Sequence, residues 1–343
     1  MSDGFRSRFI LVIAVVAMYG RSAYAQQTMQ SNLVPNRYHS VDSWGQLPEG
    51  RTWGSVSAIS VDKKGNVWVG ERCGKNDCSD SNLDSVLEFD SSGKIIRSFG
   101  GGMFVLPHAI NFDKAGNFWF TDYGNKNGKG NVAVKFSPEG KILMTLGKAG
   151  VAGAGPDTFN EPDAVVEGAN GDLFVADGHT VGKGNARIVK FTKDGKFIKE
   201  WGEHGSGPGQ FEIPHDLAID SRGRIFVADR GNKRVQIFDQ DGKFLEEWKQ
   251  FGTPSGLFID RHDVLYVTDS WSQSADPKAD RYNPGFEHGF WVGSAKDGKV
   301  ISFTPVPATA GGQNAPEGIT ADDAGNVYVA DTIVKGVKKF AKQ

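Results

Sequence analysis

Six copies of one short pattern run through this chain, and a repeat of that kind restricts the fold more than any other feature of the sequence. The copies are GNVWVGE (65–71), GNFWFTD (116–122), GDLFVAD (171–177), GRIFVAD (223–229), DVLYVTD (263–269) and GNVYVAD (325–331). Their starts are 51, 55, 52, 40 and 62 residues apart. Each is rich in β-branched and aromatic residues, reads as a strand, and ends on an acidic residue. Each also carries an aromatic at the same point: Trp68, Trp119, Phe174, Phe226, Tyr266 and Tyr328. A second apolar strand precedes every copy: SAISVD, HAINFD, DAVVEG, HDLAID, SGLFID and EGITAD. After five of them comes a Gly-Lys turn, at Ser92-Gly93-Lys94, Glu139-Gly140-Lys141, Asp194-Gly195-Lys196, Asp241-Gly242-Lys243 and Asp297-Gly298-Lys299. Asp-Gly between β-rich runs is a strong hairpin signal. Each repeat therefore specifies four antiparallel strands, which is one propeller blade.

The sixth copy ends at Gly336–Phe340, after its third strand. Ser43-Trp44-Gly45 matches Glu200-Trp201-Gly202 in repeat position, so the N-terminal segment is expected to supply the missing strand and close the ring. Closure removes the sheet edges that would otherwise invite aggregation. The expected fold is all-β, a single six-bladed β-propeller. Glycine, at 45 of 343 residues, is nearly twice its usual share of about 7%, as a fold of many tight turns requires.

Ahead of the repeats, Arg6 and Arg8 precede the apolar run Phe9–Met18, and Ala23-Tyr24-Ala25 offers a small-x-small cleavage site. This pattern predicts a secretory signal peptide over 1–25 and a mature domain over 26–343, exported to a periplasmic or extracellular space with no membrane anchor after cleavage. Cleavage would remove Arg6, Arg8, Arg21 and Asp3 and move the formal charge from −2 to −4. A mildly acidic chain without a basic block is not built for nucleic acid. The chain is expected to be a monomer. Cys73 and Cys78, an isolated close pair in an oxidising compartment, are expected to form a local disulfide, since C-x4-C alone offers too few ligands for zinc.

Propeller topology sorts residues by rim. The start of each first strand and the end of each second strand share one rim with the blade-to-blade loops; the Gly-Asn and Gly-Lys turns share the other. Aligning the first strands places a ring at the channel entrance: Ser57, His108, Asp163, His215, Ser255 and Glu317. His108, His215 and Glu317 fall on alternate blades. Two imidazoles and a carboxylate aimed at one axis suit a catalytic metal, zinc foremost, or alternatively a hydrogen-bonded polar plug. The second strands end in another ring: Arg72, Tyr123, His179, Arg230, Ser270 and Thr332. Arg72 and Arg230, on nearly opposite blades, suit a substrate carboxylate or a developing oxyanion, or each could pair with the acid before it. The longest loops, 270–288, 178–186 and 72–85, lie on this rim and would wall or cover a site. The glycine-rich stretch 147–155 opens no helix, so it is not a phosphate loop, and no G-x-S-x-G elbow occurs. His39, His204, His262 and His288 read as surface residues.

The repeats resemble the NHL class, and most of 55–340 resembles the lyase domain of peptide-amidating enzymes, peptidyl-α-hydroxyglycine α-amidating lyase. The resemblance is carried by Leu106-Pro107-His108, FWFTDYGN (118–125), Asp177-Gly178-His179 with NARIVKF (185–191), GQFEIPHDLAID (209–220) and VADRGNKRVQIFD (227–239). It implies a zinc held by three histidines, of which His108 and His215 are two, with Glu317 at the third position. It implies functional arginines at Arg72 and Arg230, and places His179 where the family has a catalytic tyrosine. Gly318 stands where the family has an aspartate that helps hold a structural calcium, so calcium is not expected. On this basis the chain is expected to be a metal-dependent propeller enzyme. His108, His215 and Glu317 would hold the metal, His179, with Tyr123 beside it, would move a proton, and Arg72 and Arg230 would hold the anionic end of a small or peptide-derived substrate. A lactonase or ester hydrolase on the same metal, or a non-catalytic NHL-type binding scaffold, are the alternatives.

Overall fold

In the computed structural model, residues 30–343 are described, with the exception of Asp280. The signal peptide expected over 1–25 lies outside the described residues. The described chain forms six four-stranded antiparallel sheets. In the fourth, Pro214–Ile219, Ile225–Asp229, Arg234–Phe238 and Phe244–Trp248 pair in chain order, and blades one, two, three and five repeat that order. The sixth sheet joins the two ends of the chain. Tyr38–Val41 pairs antiparallel with Gly336–Lys342, Tyr38 opposite Lys342 and Ser40 opposite Phe340. The closing strand thus lies just before Ser43-Trp44-Gly45 rather than on it. Ser43 turns into the left-handed region (φ 60°), which ends the strand, and Trp44 tucks into the seam between Tyr328 and Phe89. Among the described residues no helix is long and apolar enough to cross a membrane.

The repeated aromatic has a structural role. Six apolar clusters hold the ring, each shared by two adjacent blades. Trp68 of blade one packs with Phe118 of blade two, and Trp119 of blade two with Val165 of blade three. Phe174, Phe226, Tyr266 and Tyr328 fill the next four seams in turn. Burying one such ring stabilises by about 2–3 kcal/mol, so each repeat contributes the wedge that binds it to its neighbour.

The acidic residue that ends each second strand is also structural. Glu71, Asp122, Asp177, Asp229, Asp269 and Asp331 are all buried. Asp122 accepts from Val105 N and Leu106 N at 2.7 Å each, and Asp229 accepts from Glu212 N at 2.9 Å. They pin the blade-to-blade loops. On the opposite rim, Asp62 Oδ1 accepts from Lys64 N (2.8 Å) and Asn66 N (2.9 Å), closing the turn at Gly65 (φ 84°).

Candidate functional site

The six entrance residues owe their aim to a shared backbone irregularity. Register shifts in the first-to-second strand ladder occur at Val56/Ala58, Pro107/Ile110, Pro162/Ala164, Pro214/Leu217, Pro254/Leu257 and Pro316/Ile319. Each shift falls on the ring residue: Ser57, His108, Asp163, His215, Ser255 or Glu317. A bulge leaves a residue out of the ladder and re-aims its side chain, here toward the axis. In five blades the residue before it is proline, which opens a strand without needing a ladder donor.

On this scaffold His108, His179, His215 and Glu317 converge. His108 Nε2 lies 3.2 Å from His215 Nε2, and Glu317 Oε1 lies 2.9 Å from His215 Nε2 and 3.9 Å from His108 Nε2. One ring nitrogen from each of His108, His179 and His215 falls within 4.8 Å of the other two. The second nitrogen of each ring is already engaged. His108 Nδ1 meets the Asp163 carbonyl at 3.0 Å, His215 Nδ1 the Ser255 carbonyl at 2.9 Å, and His179 Nδ1 the Asp163 carboxylate at 2.8 Å. With Nδ1 so engaged, the Nε2 atoms of His108 and His215 are left facing the common point. That is the outer-shell arrangement of metal-binding histidines, and the donor set fits a divalent ion such as zinc. Burial, foremost, holds the three imidazoles below their ordinary pKa and hence neutral. Burial pushes the Asp163 carboxyl well up, and its Oδ2 has no partner among the described residues.

The arginines do not pair with the acids before them. Arg51 takes Glu71, and Arg234 takes Asp229 at 2.8 Å. Arg230 Nη1 instead donates to Glu317 Oε1 at 2.9 Å. Burial alone would raise the Glu317 carboxyl, but His215 and Arg230 outweigh it and hold the group well below the usual carboxylate range. Arg72 donates to the Pro107 carbonyl (3.3 Å), Asn76 Oδ1 (2.8 Å) and Ser57 Oγ (3.4 Å), and lies over the Tyr123 ring at 5.3 Å. Tyr123 stacks on His179, ring centres 4.0 Å apart at 19°, and burial raises its phenol. Ser255 and Ser270 hydrogen-bond each other. Cys73 and Cys78 form the expected disulfide, in the loop that carries Asn76. Of the four outlying histidines, His288 is half-buried and bonds Asn314 Oδ1 at 2.7 Å, so it braces a loop.

A wider cleft of about 1010 Å³ opens on the opposite rim, but its Asp62, Asp260 and Asp322 carboxylates already close their turns. The titratable cluster is at the other mouth, above a narrow axial cavity of about 20 Å³.

The NHL repeat model matches residues 211–238, within blade four. The chain is 34% identical over 201 residues to mouse peptidyl-glycine alpha-amidating monooxygenase, an alignment covering 52% of this chain and 20% of that protein. It is 27% identical over 236 residues to peptidyl-alpha-hydroxyglycine alpha-amidating lyase 2 of Drosophila melanogaster, covering 63% of this chain and 54% of the fly protein. Blade four thus carries an NHL repeat, and about half of the chain is similar in sequence to the amidating enzymes. The chain spans about a fifth to half of the length of these relatives. Its fold is shared by a gluconolactonase of Xanthomonas campestris, with a TM-score of 0.59, 12% identity and coverage of 92% and 97% of the two chains. The site segments His108, Tyr123, His179, His215 and Arg230 all lie within the stretches on which the resemblance rests; Trp271 has no counterpart in the repeat and escaped the sequence reading altogether.

Proposed function

We propose that this chain is an exported, metal-dependent lyase acting at the channel mouth on a small, anionic substrate that bears a hydroxyl or carbonyl group. The observation that carries the reading is the convergence of three neutral imidazoles, each fixed through Nδ1 to a protein oxygen. In this assignment His108, His179 and His215 hold the metal, and His179 and Glu317 exchange the roles that the sequence pattern gives them. Asp163 orients His179 as a ligand, while the Arg230 ion pair occupies Glu317.

A divalent metal at this point would act as a Lewis acid on a hydroxyl or carbonyl oxygen. Glu317, ionised and facing the same point, accepts the proton of a hydroxyl placed there. Arg230 keeps that carboxylate oriented. Tyr123, protonated at neutral pH and stacked on His179, donates a proton to the departing atom. Arg72, bridged to Ser57 and to the disulfide loop, fixes the Tyr123 face. Burial of the cluster excludes bulk water and strengthens each of these contacts. The disulfide supports an oxidising destination.

Turnover of α-hydroxyglycine derivatives, measured against a panel of lactones and esters, tests the reaction class. Release of glyoxylate and the corresponding amide is the expected result. Lactone or ester hydrolysis alone would replace the lyase by a hydrolase on the same site, and no turnover by the metal-loaded chain would contradict an enzymatic role.

A further inference from the structure

The insertion in blade five brings to the mouth a pair of residues that the repeat does not contain, Trp271 and Arg281. It spans 270–288, between the strands Val264–Asp269 and Gly289–Ser294. Its course is set by internal bonds. Gln273 N donates to Arg281 O (3.0 Å) and Asn283 N to Gln273 O (2.9 Å), drawing the two limbs together. Asn283 Nδ2 donates to Ser272 Oγ at 3.0 Å, and Lys233 Nζ donates to Tyr282 O at 2.7 Å, tying the loop to the turn that follows Arg230.

The Trp271 ring carries two guanidinium groups, those of Arg230 and Arg281, each 4.2 Å from its centre. Like charges repel, so two cations on one indole are held by the negative potential of its faces. Their other contacts differ. Arg230 is buried and ion-paired with Glu317, and Arg72 has Nε, Nη1 and Nη2 all committed to protein oxygens. Arg281 is exposed and has no hydrogen bond or ion pair from its guanidinium to any described residue. Arg72 is therefore spent within the protein, Arg230 is sealed in the buried cluster with its Nε unpartnered, and the exposed guanidinium at the mouth stands on the insertion.

We propose that Arg281, presented on the face of Trp271, is an anion-binding group at the channel mouth and that it selects substrates bearing a carboxylate. An arginine fork meets a carboxylate in a bidentate manner, and stacking on Trp271 pre-orders it. This rests on the channel-mouth site proposed above and names the group that reads its substrate class: a small acid whose carboxylate meets Arg281.

The probe pair is N-benzoylglycine and its neutral amide, N-benzoylglycinamide, titrated by calorimetry into the full metal-loaded chain. The acid is expected to bind about tenfold tighter than the amide. Arg281→Ala should erase that preference, Arg281→Lys should restore part of it, and Lys278→Ala, which removes a charge from the same exposed loop, should leave it intact. Equal binding of the two probes by the wild type would overturn the inference. So would a preference that survives Arg281→Ala or is lost equally with Lys278→Ala. Metal content, measured on the same samples, separates this from the function proposed above. A wild type that holds metal but shows no preference defeats only the Arg281 assignment. A wild type that shows the Arg281-dependent preference without binding metal defeats only the metal reading.

Discussion

The two rims of this propeller are built by opposite rules. On the turn rim, five of the six blades solve the same problem in the same way, and blade three, with Gly168 at that position, closes the turn by backbone bonds. An aspartate such as Asp62, Asp113, Asp260 or Asp322 caps a turn at a glycine or its equivalent, and the polar groups are spent on the backbone next to them. On the channel-mouth rim, the corresponding positions differ from blade to blade, and their polar groups reach across blades: His215 to the Ser255 carbonyl, Arg230 to Glu317, His108 to the Asp163 carbonyl. Local satisfaction gives a regular scaffold. Satisfaction across blades gives a cluster that exists only once the ring has closed, and that is where chemistry can be placed.

Mutations should separate the rims, and the largest separation is expected from His215→Ala. Removal of one imidazole from the cluster should lower kcat/KM by at least about a thousandfold, with a thermal midpoint within a few degrees of the wild-type apoprotein, as measured by steady-state kinetics and calorimetry. A stability loss that accounts for the lost activity would contradict the division. Next in size is Glu317→Gln. The amide keeps the shape but cannot accept a proton, so kcat should fall about a hundredfold while the bound metal stays near the wild-type amount.

A mixed effect is expected where the mouth leans on a covalent brace. Replacing Cys73 and Cys78 by serine frees a loop of six residues and should lower stability by about 2 kcal/mol on the loop-closure relation. Because Asn76 within that loop holds Arg72, kcat/KM should also fall, by roughly threefold to tenfold; a pure stability change with unaltered kinetics would show that Arg72 holds its position without the loop. The smallest functional effect should come from the turn rim. Asp62→Ala removes an acceptor for Lys64 N, Asn66 N and the Trp68 indole, at a cost of about 1–2 kcal/mol, with kcat/KM unchanged.

The regular rim is the part of the fold that the sequence displays openly. Strand pairs, glycine turns and the wedge aromatics Trp68 to Tyr328 recur because each acts on its own blade or the next, so their spacing survives in one dimension. The ring from Ser57 to Glu317 could be aligned for the same reason, and the proline before five of its members was a visible mark of the bulges that aim it. Closure by the N-terminus was also legible, though not its register, because Ser43 breaks the strand before Trp44 in a way that the Trp44–Trp201 match conceals. Contacts between unlike blades were less accessible. Nothing in the spacing of His108 and Asp163 says that the imidazole will meet the Asp163 carbonyl, or that Arg230 will take Glu317 rather than Asp229. The insertion 270–288 was visible as a loop at the site, but not the pairing of Trp271 with Arg281 within it, since an insertion has no repeated partner to be compared with.

The account turns on which side chains complete the metal site, and metal stoichiometry answers that most directly. Wild type, His179→Ala and Glu317→Gln would be purified without chelators, reconstituted with zinc, desalted and analysed by elemental mass spectrometry. The account predicts about one equivalent of zinc in the wild type and in Glu317→Gln, and less than about a tenth of an equivalent in His179→Ala. A wild type without metal, or a His179→Ala protein that retains zinc while Glu317→Gln loses it, would contradict it.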